Sequence, residues 1–213
     1  MSATSTDDAA ENELFVVEGA SAANAVKVAC DKTTQHVLGL QGKPLNVERA
    51  SKSQIAKNDR IADIVEAVGG GRDEQFHLDS VVPERVLLLT DADADGVHAR
   101  ALYLLVFDAV MPELIEAGRL WSARPPLFSI TVPGMAEELY AYSPPHRERV
   151  VAELNKRGHH DYSIEYYKSI AGLDADQLWA TCLNPKSRQA RQLTRQDAEK
   201  ARTVLAKVRS TLG

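Results

Sequence analysis

The chain has 213 residues, of which 44% are hydrophobic and 26% are charged, and its formal net charge is −5. This composition is typical of a globular protein with a hydrophobic core, and the length suits one domain with at most a smaller appendage. No apolar run is long enough to cross a membrane, and the two cysteines, Cys30 and Cys182, lie far apart. The composition therefore excludes a membrane protein and a disulfide scaffold, and we expect a cytoplasmic protein.

The charges are distributed unevenly along the chain. Residues 1–146 carry a net charge of −10, whereas residues 147–213 carry +5. Such a division is compatible with a phosphate-bearing substrate or an acidic partner surface. Lys and Arg residues that only solvate helices would give the same balance, so this alternative stays open.

The first predicted elements place a carboxylate between a strand and a helix. Residues 1–12 are small, polar and acidic, and we expect a disordered lead-in there. Glu13–Val17 has the apolar run of a short strand, and Ser21 is the expected cap of a helix that reaches Asp31. Glu18 lies at this junction. An ordinary exposed turn would also explain a lone Glu before a glycine.

The next segment predicts a further strand followed by helices. Gln35–Leu40 has the pattern of a strand, and the tight loop after it presents Lys43. Helical periodicity follows in two pieces over residues 46–68 and ends at Gly69–Gly71. Those glycines lack the spacing of a P-loop, so the sequence does not predict a phosphate cradle there.

An acidic cluster follows the most apolar strand. Val86–Leu89 is a continuous apolar run, typical of a strand buried on both faces, and Asp91, Asp93 and Asp95 come directly after it. Like charges this close resist ionisation unless a cation holds them, and oxygen ligands suit a hard divalent ion such as Mg²⁺. In open α/β folds the carboxyl ends of the strands are where ligands bind. We therefore predict a metal site, and expect Glu18 to lie beside it.

The same motif also opens a calcium-binding EF-hand loop, but that loop requires a bidentate Glu at its twelfth position. Counted from Asp91, this position is Leu102. A strand, rather than a helix, precedes the aspartates. The sequence therefore argues against a calcium hand.

The remaining elements complete a predicted α/β domain and a tail. We expect Gly96 to turn the chain sharply and a long helix to run from Val97 to Gly118, with a kink at Met111-Pro112. Repeated alternation of strands and helices predicts one parallel-sheet domain over residues 13–130 and a smaller, mostly helical, basic tail over residues 131–213. Further expected elements are an edge strand with a turn at Arg119–Ile130 and a strand at Leu139–Tyr142. Helices are expected at Pro145–Arg157, at Asp174–Thr181 with Asp174 as its cap, and after the cap Thr194–Asp197.

These motifs together resemble the Toprim region of type IIA DNA topoisomerase B subunits, those of gyrase and topoisomerase IV. ELFVVEGASA at Glu13–Ala22 resembles the family pattern E-L-x-x-V-E-G-D-S-A, and TDADADGVH at Thr90–His98 resembles T-D-A-D-V-D-G-x-H. LQGKPLNVE at Leu40–Glu48 is similar to L-R-G-K-x-L-N-V-E, and MPELIEAG at Met111–Gly118 is similar to M-P-E-L-I-E-x-G. The motifs occur in the family's order over nearly the whole chain.

The resemblance implies a Toprim fold and a metal-dependent role in DNA strand cleavage. Glu18, Asp91, Asp93 and Asp95 would hold one or two Mg²⁺ ions, with Mn²⁺ as a substitute, and Glu18 would act as ligand or general acid/base. The attacking tyrosine would come from a partner A subunit on double-stranded DNA. Lys43, His98, Arg100 and Lys168 are the expected DNA phosphate contacts. These roles imply a nucleoid-associated location.

Several family features are altered or missing. The family's Asp after E-G is Ala20 here, and its tail signature Y-K-G-L-G-E-M is replaced by YKSIAGL at Tyr167–Leu173. No counterpart of the ATPase region is visible, so we expect this chain not to bind ATP, to be inactive alone and to need an A subunit. A separate ATPase chain is a further partner that this pattern allows. Two alternatives stay open: a non-catalytic paralogue that binds topoisomerase subunits or DNA, and a stand-alone Toprim nuclease.

Overall fold

The computed structural model describes residues 12–212, with side chains to residue 207. The predicted lead-in at residues 1–12 lies almost wholly outside the described residues. A five-stranded sheet forms the centre, with strands β1 Glu13–Glu18, β2 Gln35–Leu40, β3 Arg85–Leu89, β4 Leu120–Ala123 and β8 Ala190–Gln192. Their order across the sheet is β2-β1-β3-β4-β8.

The first four strands of this sheet are parallel, which confirms the predicted fold class. The run Val86–Leu89 is fully buried, as expected of a strand covered on both faces. The register pairs Val17 of β1 with Leu89 of β3. Glu18 and the acidic loop therefore leave the sheet side by side at its carboxyl edge.

Helices cover both faces of the sheet, and two separate hydrophobic clusters result. The helices are α1 Ala20–Ala29, α2 Lys52–Ala56, α3 Asp59–Val68, α4 Ala94–Val110, α5 Pro112–Glu116, α6 Pro144–Lys156, α7 Ala175–Leu178 and α8 Arg195–Leu212. Short 3₁₀ turns occur at Asp73–Gln75, Leu78–Ser80 and Ile170–Gly172, and a π turn at Trp179–Leu183.

A second, three-stranded sheet follows the central one. It contains β5 Phe128–Thr131, β6 Leu139–Ala141 and β7 Ser163–Tyr166 in the order β6-β5-β7. All its strands are antiparallel. Together with α6 it encloses a small core of its own.

The structure corrects several predicted elements. The edge strand with a turn expected at Arg119–Ile130 is instead two strands in different sheets, because Pro125-Pro126 separates them. β4 lies inside the central sheet and β5 lies in the other sheet. The helix expected after a Ser21 cap begins at Ala20, directly after Gly19. The break predicted at Met111-Pro112 is confirmed, because α4 ends at Val110 and α5 begins at Pro112.

Two predicted helix caps are confirmed. Asp174 and Gln177 form a capping box at the start of α7. At α8 the Thr194 backbone N–H donates to Asp197 at 3.0 Å, and the Asp197 N–H donates to the Thr194 hydroxyl at 3.3 Å. The boundary predicted between a domain and a tail at residue 130 stays a prediction, although β8 pairs with β4 across it. Within residues 12–212 no helix combines the length and apolarity needed to span a bilayer.

Candidate metal and phosphate site

The acidic loop is built around the first turn of α4. Asp93 is the N-cap of this helix, and its Oδ1 accepts a hydrogen bond from the Gly96 N–H at 2.8 Å. Helix α4 therefore begins at Ala94, before the predicted start at Val97, because a carboxylate at the N-cap satisfies a backbone donor that the helix leaves unpaired. Asp95 then lies in the first helical turn.

Gly96 permits a close approach of two backbone segments rather than the sharp turn that was predicted. A Cβ at this position would lie 2.1 Å from the backbone oxygen of Asp91. No L-residue with a side chain fits there without a shift of the loop. The glycine in this motif thus lets the acidic loop fold tightly against the start of α4.

Asp91 is held by the part of the chain beyond residue 130. Its Oδ1 accepts a hydrogen bond of 2.7 Å from the backbone N–H of Ile170, the first residue of a 3₁₀ turn. Burial raises the pKa of Asp91, the Ile170 N–H opposes that shift, and the charge of Asp93 adds to it. The environment thus disfavours a bare negative charge at Asp91.

Glu18 lies at the end of the neighbouring strand, β1, where burial and the charges of all three aspartates raise its pKa. Burial is the largest cause of its raised pKa, followed by the negative charge of Asp91, while Lys43 lowers the pKa and Asp93 and Asp95 raise it further. The four predicted carboxylates therefore lie in one electrostatic cluster. A carboxyl with a raised pKa is suited to hold or accept a proton.

Lys43 pairs with an aspartate of the cluster. Its Nζ lies 2.8 Å from Asp95 Oδ1, and both side chains are exposed. The hydrogen bond and charge of Lys43 lower the pKa of Asp95, and His98 lowers it further. Lys43 and His98 thus lie beside the acidic cluster, while their contact with a DNA phosphate stays a prediction.

The other two predicted phosphate contacts lie at different places. Arg100 is partly buried on the second turn of α4, where burial and the positive charges of Arg191 and Arg124 lower its pKa. Lys168 is exposed, two residues before the Ile170 N–H that contacts Asp91. Neither is shown to contact a phosphate, so both assignments stay predictions.

The donor set fits a hard divalent cation. It consists of carboxylate oxygens, the ligands that Mg²⁺ prefers, with little competing nitrogen or sulfur. Within residues 12–207 no three of these groups already converge on one point. Each aspartate is engaged by another group instead, Asp95 by Lys43, Asp93 by the Gly96 N–H and Asp91 by the Ile170 N–H.

Sequence reasoning missed two features of the site, the Ile170 N–H and the arginines near Arg100. A backbone donor has no residue signature, and Ile170 lies inside the segment in which the family's tail signature is altered. Arg124 follows β4 and Arg191 belongs to β8, and only the pairing of these strands brings both near α4.

A parallel sheet with a Glu at the end of its first strand and a D-x-D-x-D loop after the neighbouring strand is the arrangement of the Toprim class. Residues 13–125 match the Toprim domain family, and this chain belongs to that family. The prediction of a Toprim domain is confirmed.

The curated relatives identify the branch of the family to which this chain is similar. It is 37% identical over 96% of its length to the B subunit of DNA topoisomerase 4 of Bacillus subtilis, and covers 30% of that protein. It is 39% identical over 90% of its length to the B subunit of DNA gyrase of Thermotoga maritima, and covers 29% of it. The similarity to topoisomerase B subunits is thus confirmed. The chain spans less than a third of the length of these relatives.

Proposed function

We propose that this chain is the Mg²⁺-binding module of a type IIA DNA topoisomerase, contributing metal ligands and a proton-transfer group to reversible DNA cleavage by a partner A-subunit tyrosine. The observation that carries the proposal is the parallel register of β1 and β3, which ends both strands at one sheet edge and brings Glu18 beside the loop of Asp91, Asp93 and Asp95. The relatives, whose names are those of gyrase and topoisomerase subunits, support the reaction class.

Each residue has a distinct role in this proposal. Asp91, Asp93 and Asp95 would hold one or two Mg²⁺ ions, or Mn²⁺ in their place. The bound metal would neutralise charge on the scissile phosphate and the leaving 3′ oxygen. Glu18, whose pKa is raised, would protonate that oxygen on cleavage and take the proton back on religation, or serve as a further ligand.

The cationic side chains would hold the DNA backbone. Lys43 and His98 lie beside Asp95, and Lys168 follows the second sheet. Contacts of this type set the position of the duplex and carry no base sequence information. When the Asp95 carboxylate binds a metal ion, Lys43 would leave Asp95 and bind a DNA phosphate instead.

Metal binding tests this proposal directly. Mg²⁺ or Mn²⁺ should raise the melting temperature of the chain, because a ligand selective for the folded state stabilises it. Asp91→Asn should abolish most of that rise, whereas Asp161→Asn, an exposed site far along the chain, should not. Absence of any divalent binding in calorimetry, with DNA present, would remove the enzymatic role.

The non-catalytic alternative has one observation in its favour. The Lys43–Asp95 ion pair already neutralises part of the cluster without a metal. A chain that binds DNA or a topoisomerase subunit and takes up no metal would be such a paralogue. Calorimetry on the wild-type chain therefore separates the two functions.

A further inference from the structure

Three arginines, from β8, from the end of β4 and from α4, lie on the same side of the central sheet. Arg191 of β8 pairs across the ladder with Ser122 of β4, and residues directly opposite each other share one face of a sheet. Leu193, two residues on, packs into the cluster that contains the core residues of α4. Arg191 therefore lies on the face that α4 covers.

Arg124 lies on the same face, one residue beyond β4. Its backbone N–H donates to the Gln189 carbonyl at 2.8 Å, so the ladder with the β8 segment continues to this point. Its guanidinium donates to the Tyr142 carbonyl and lies 5.9 Å from the centre of the Tyr142 ring. These contacts fix the direction of an otherwise exposed side chain.

Arg100 completes the group from the second turn of α4. Arg191 is partly neutralised by Asp197 at 3.0 Å. Within residues 12–207 neither Arg100 nor Arg124 is in an ion pair with a carboxylate. Arg100 is nonetheless partly buried near the other two charges, which together with its burial lower its pKa. Like charges gathered in this way favour binding of an anion.

We propose that Arg100, Arg124 and Arg191 form a binding site for a phosphodiester of a DNA strand. Planar guanidinium groups bind phosphate oxygens in pairs of parallel hydrogen bonds, which a lysine cannot do. Leu89 of β3 pairs with Ala123 of β4, and neighbouring strands are about 4.8 Å apart, so this site lies one strand along from the acidic loop. The arginine site rests on the proposed function in one respect: the DNA strand that it binds would continue to the acidic loop.

Duplex binding measured in EDTA tests the site without the metal. Fluorescence anisotropy with a labelled DNA duplex, over a series of salt concentrations, gives the slope of log affinity against log salt. We expect Arg124→Ala and Arg191→Ala each to weaken binding several-fold and to reduce the slope by about one. Arg157→Ala is the matched control. Arg157 is about as exposed as Arg191, and its substitution removes the same charge at the far end of α6.

The outcomes separate this site from the proposed function. Asp91→Asn should remove metal binding without weakening duplex binding in EDTA, because it takes away a negative charge that repels DNA. Compared with Arg124→Ala, Arg124→Lys should restore part of the salt slope but not the full affinity for the duplex. This result would exclude a role of Arg124 that consists only of its contacts to Tyr142. The proposal is overturned if Arg124→Ala and Arg191→Ala lose no more duplex affinity than Arg157→Ala. It is also overturned if the wild-type chain binds inorganic phosphate but no duplex at low salt.

Discussion

Arg188, close to β8, forms a buried two-pronged ion pair with Glu13, the first residue of β1. Its two nitrogens lie 2.5 and 2.8 Å from the carboxylate oxygens, and both side chains are almost fully buried. Gln35 of β2 donates to the same carboxylate at 3.0 Å and to the Leu183 carbonyl at 2.8 Å. The last third of the chain is thereby fixed to the first strand of the sheet.

Loss of one partner should destabilise the fold strongly. Arg188→Ala leaves the Glu13 charge buried without its partner, and we expect the free energy of unfolding to fall by about 3–5 kcal/mol in urea denaturation. Arg157→Ala breaks an exposed pair with Glu153 and should cost only about 0.3–0.5 kcal/mol. A loss below about 1 kcal/mol for Arg188→Ala would contradict this account.

Asp93 has two separable roles, which two substitutions distinguish. Asn caps helices about as well as Asp, so Asp93→Asn should keep the melting temperature of the metal-free chain. Asp93→Ala should lose about 1 kcal/mol of stability. Both should weaken Mg²⁺ binding in calorimetry. Unchanged Mg²⁺ affinity in Asp93→Asn would exclude Asp93 from the ligand set.

The raised pKa of Glu18 predicts a pH-dependent stability. Because the pKa of Glu18 is higher in the folded than in the unfolded chain, ionisation of Glu18 destabilises the fold. The stability that protonated Glu18 contributes is fully present below the unfolded pKa and is lost as pH rises through the folded pKa. Glu18→Gln cannot ionise. Its stability relative to wild type, measured by denaturation in EDTA, should therefore increase from about pH 4 towards neutral pH.

Glu165→Gln is the control for this measurement, since Glu165 is exposed on β7. A relative stability of Glu18→Gln that stays constant or falls with pH would show that Glu18 is not destabilised by its neighbours. Saturating Mg²⁺ should reverse the trend, because a cation favours the ionised carboxylate.

Much of the site could be predicted from the sequence, because its signals are local. The buried run Val86–Leu89 and the aspartates after it indicated a strand end and an acidic loop. The place of Glu18 beside the aspartates could be predicted in the same way, since parallel strands end at one edge of the sheet. The start of α4 was predicted too late, because the aspartates were interpreted as ligands and the capping role of Asp93 was not considered.

The elements that were missed depend on pairing between distant segments. β8 has three residues, and no alternation of apolar and polar residues marks it. Its place beside β4 is set by the packing of Leu193 and by the Arg188–Glu13 pair. Pro125-Pro126 divides Arg119–Ile130 locally, but the second sheet that β5 joins depends on strands that lie elsewhere in the chain.

Lys43 should oppose metal binding. Its ammonium group occupies Asp95 and adds a positive charge to the site. Lys43→Ala should therefore raise the Mg²⁺ affinity in calorimetry several-fold and weaken duplex binding. Lys57→Ala, an exposed lysine after α2, should change neither. A lower Mg²⁺ affinity in Lys43→Ala would indicate that Lys43 places Asp95 for the metal.

Supercoiled-plasmid cleavage with an A-type topoisomerase subunit tests the central claim most directly. The account predicts that the wild-type chain, the A subunit and Mg²⁺ together yield nicked or linear DNA attached to the A-subunit tyrosine. Glu18→Gln and Asp91→Asn should abolish this product, and Arg157→Ala should not. Failure of the wild-type chain to yield any cleaved DNA, although a pull-down shows the A subunit bound and calorimetry shows Mg²⁺ bound, would contradict the account.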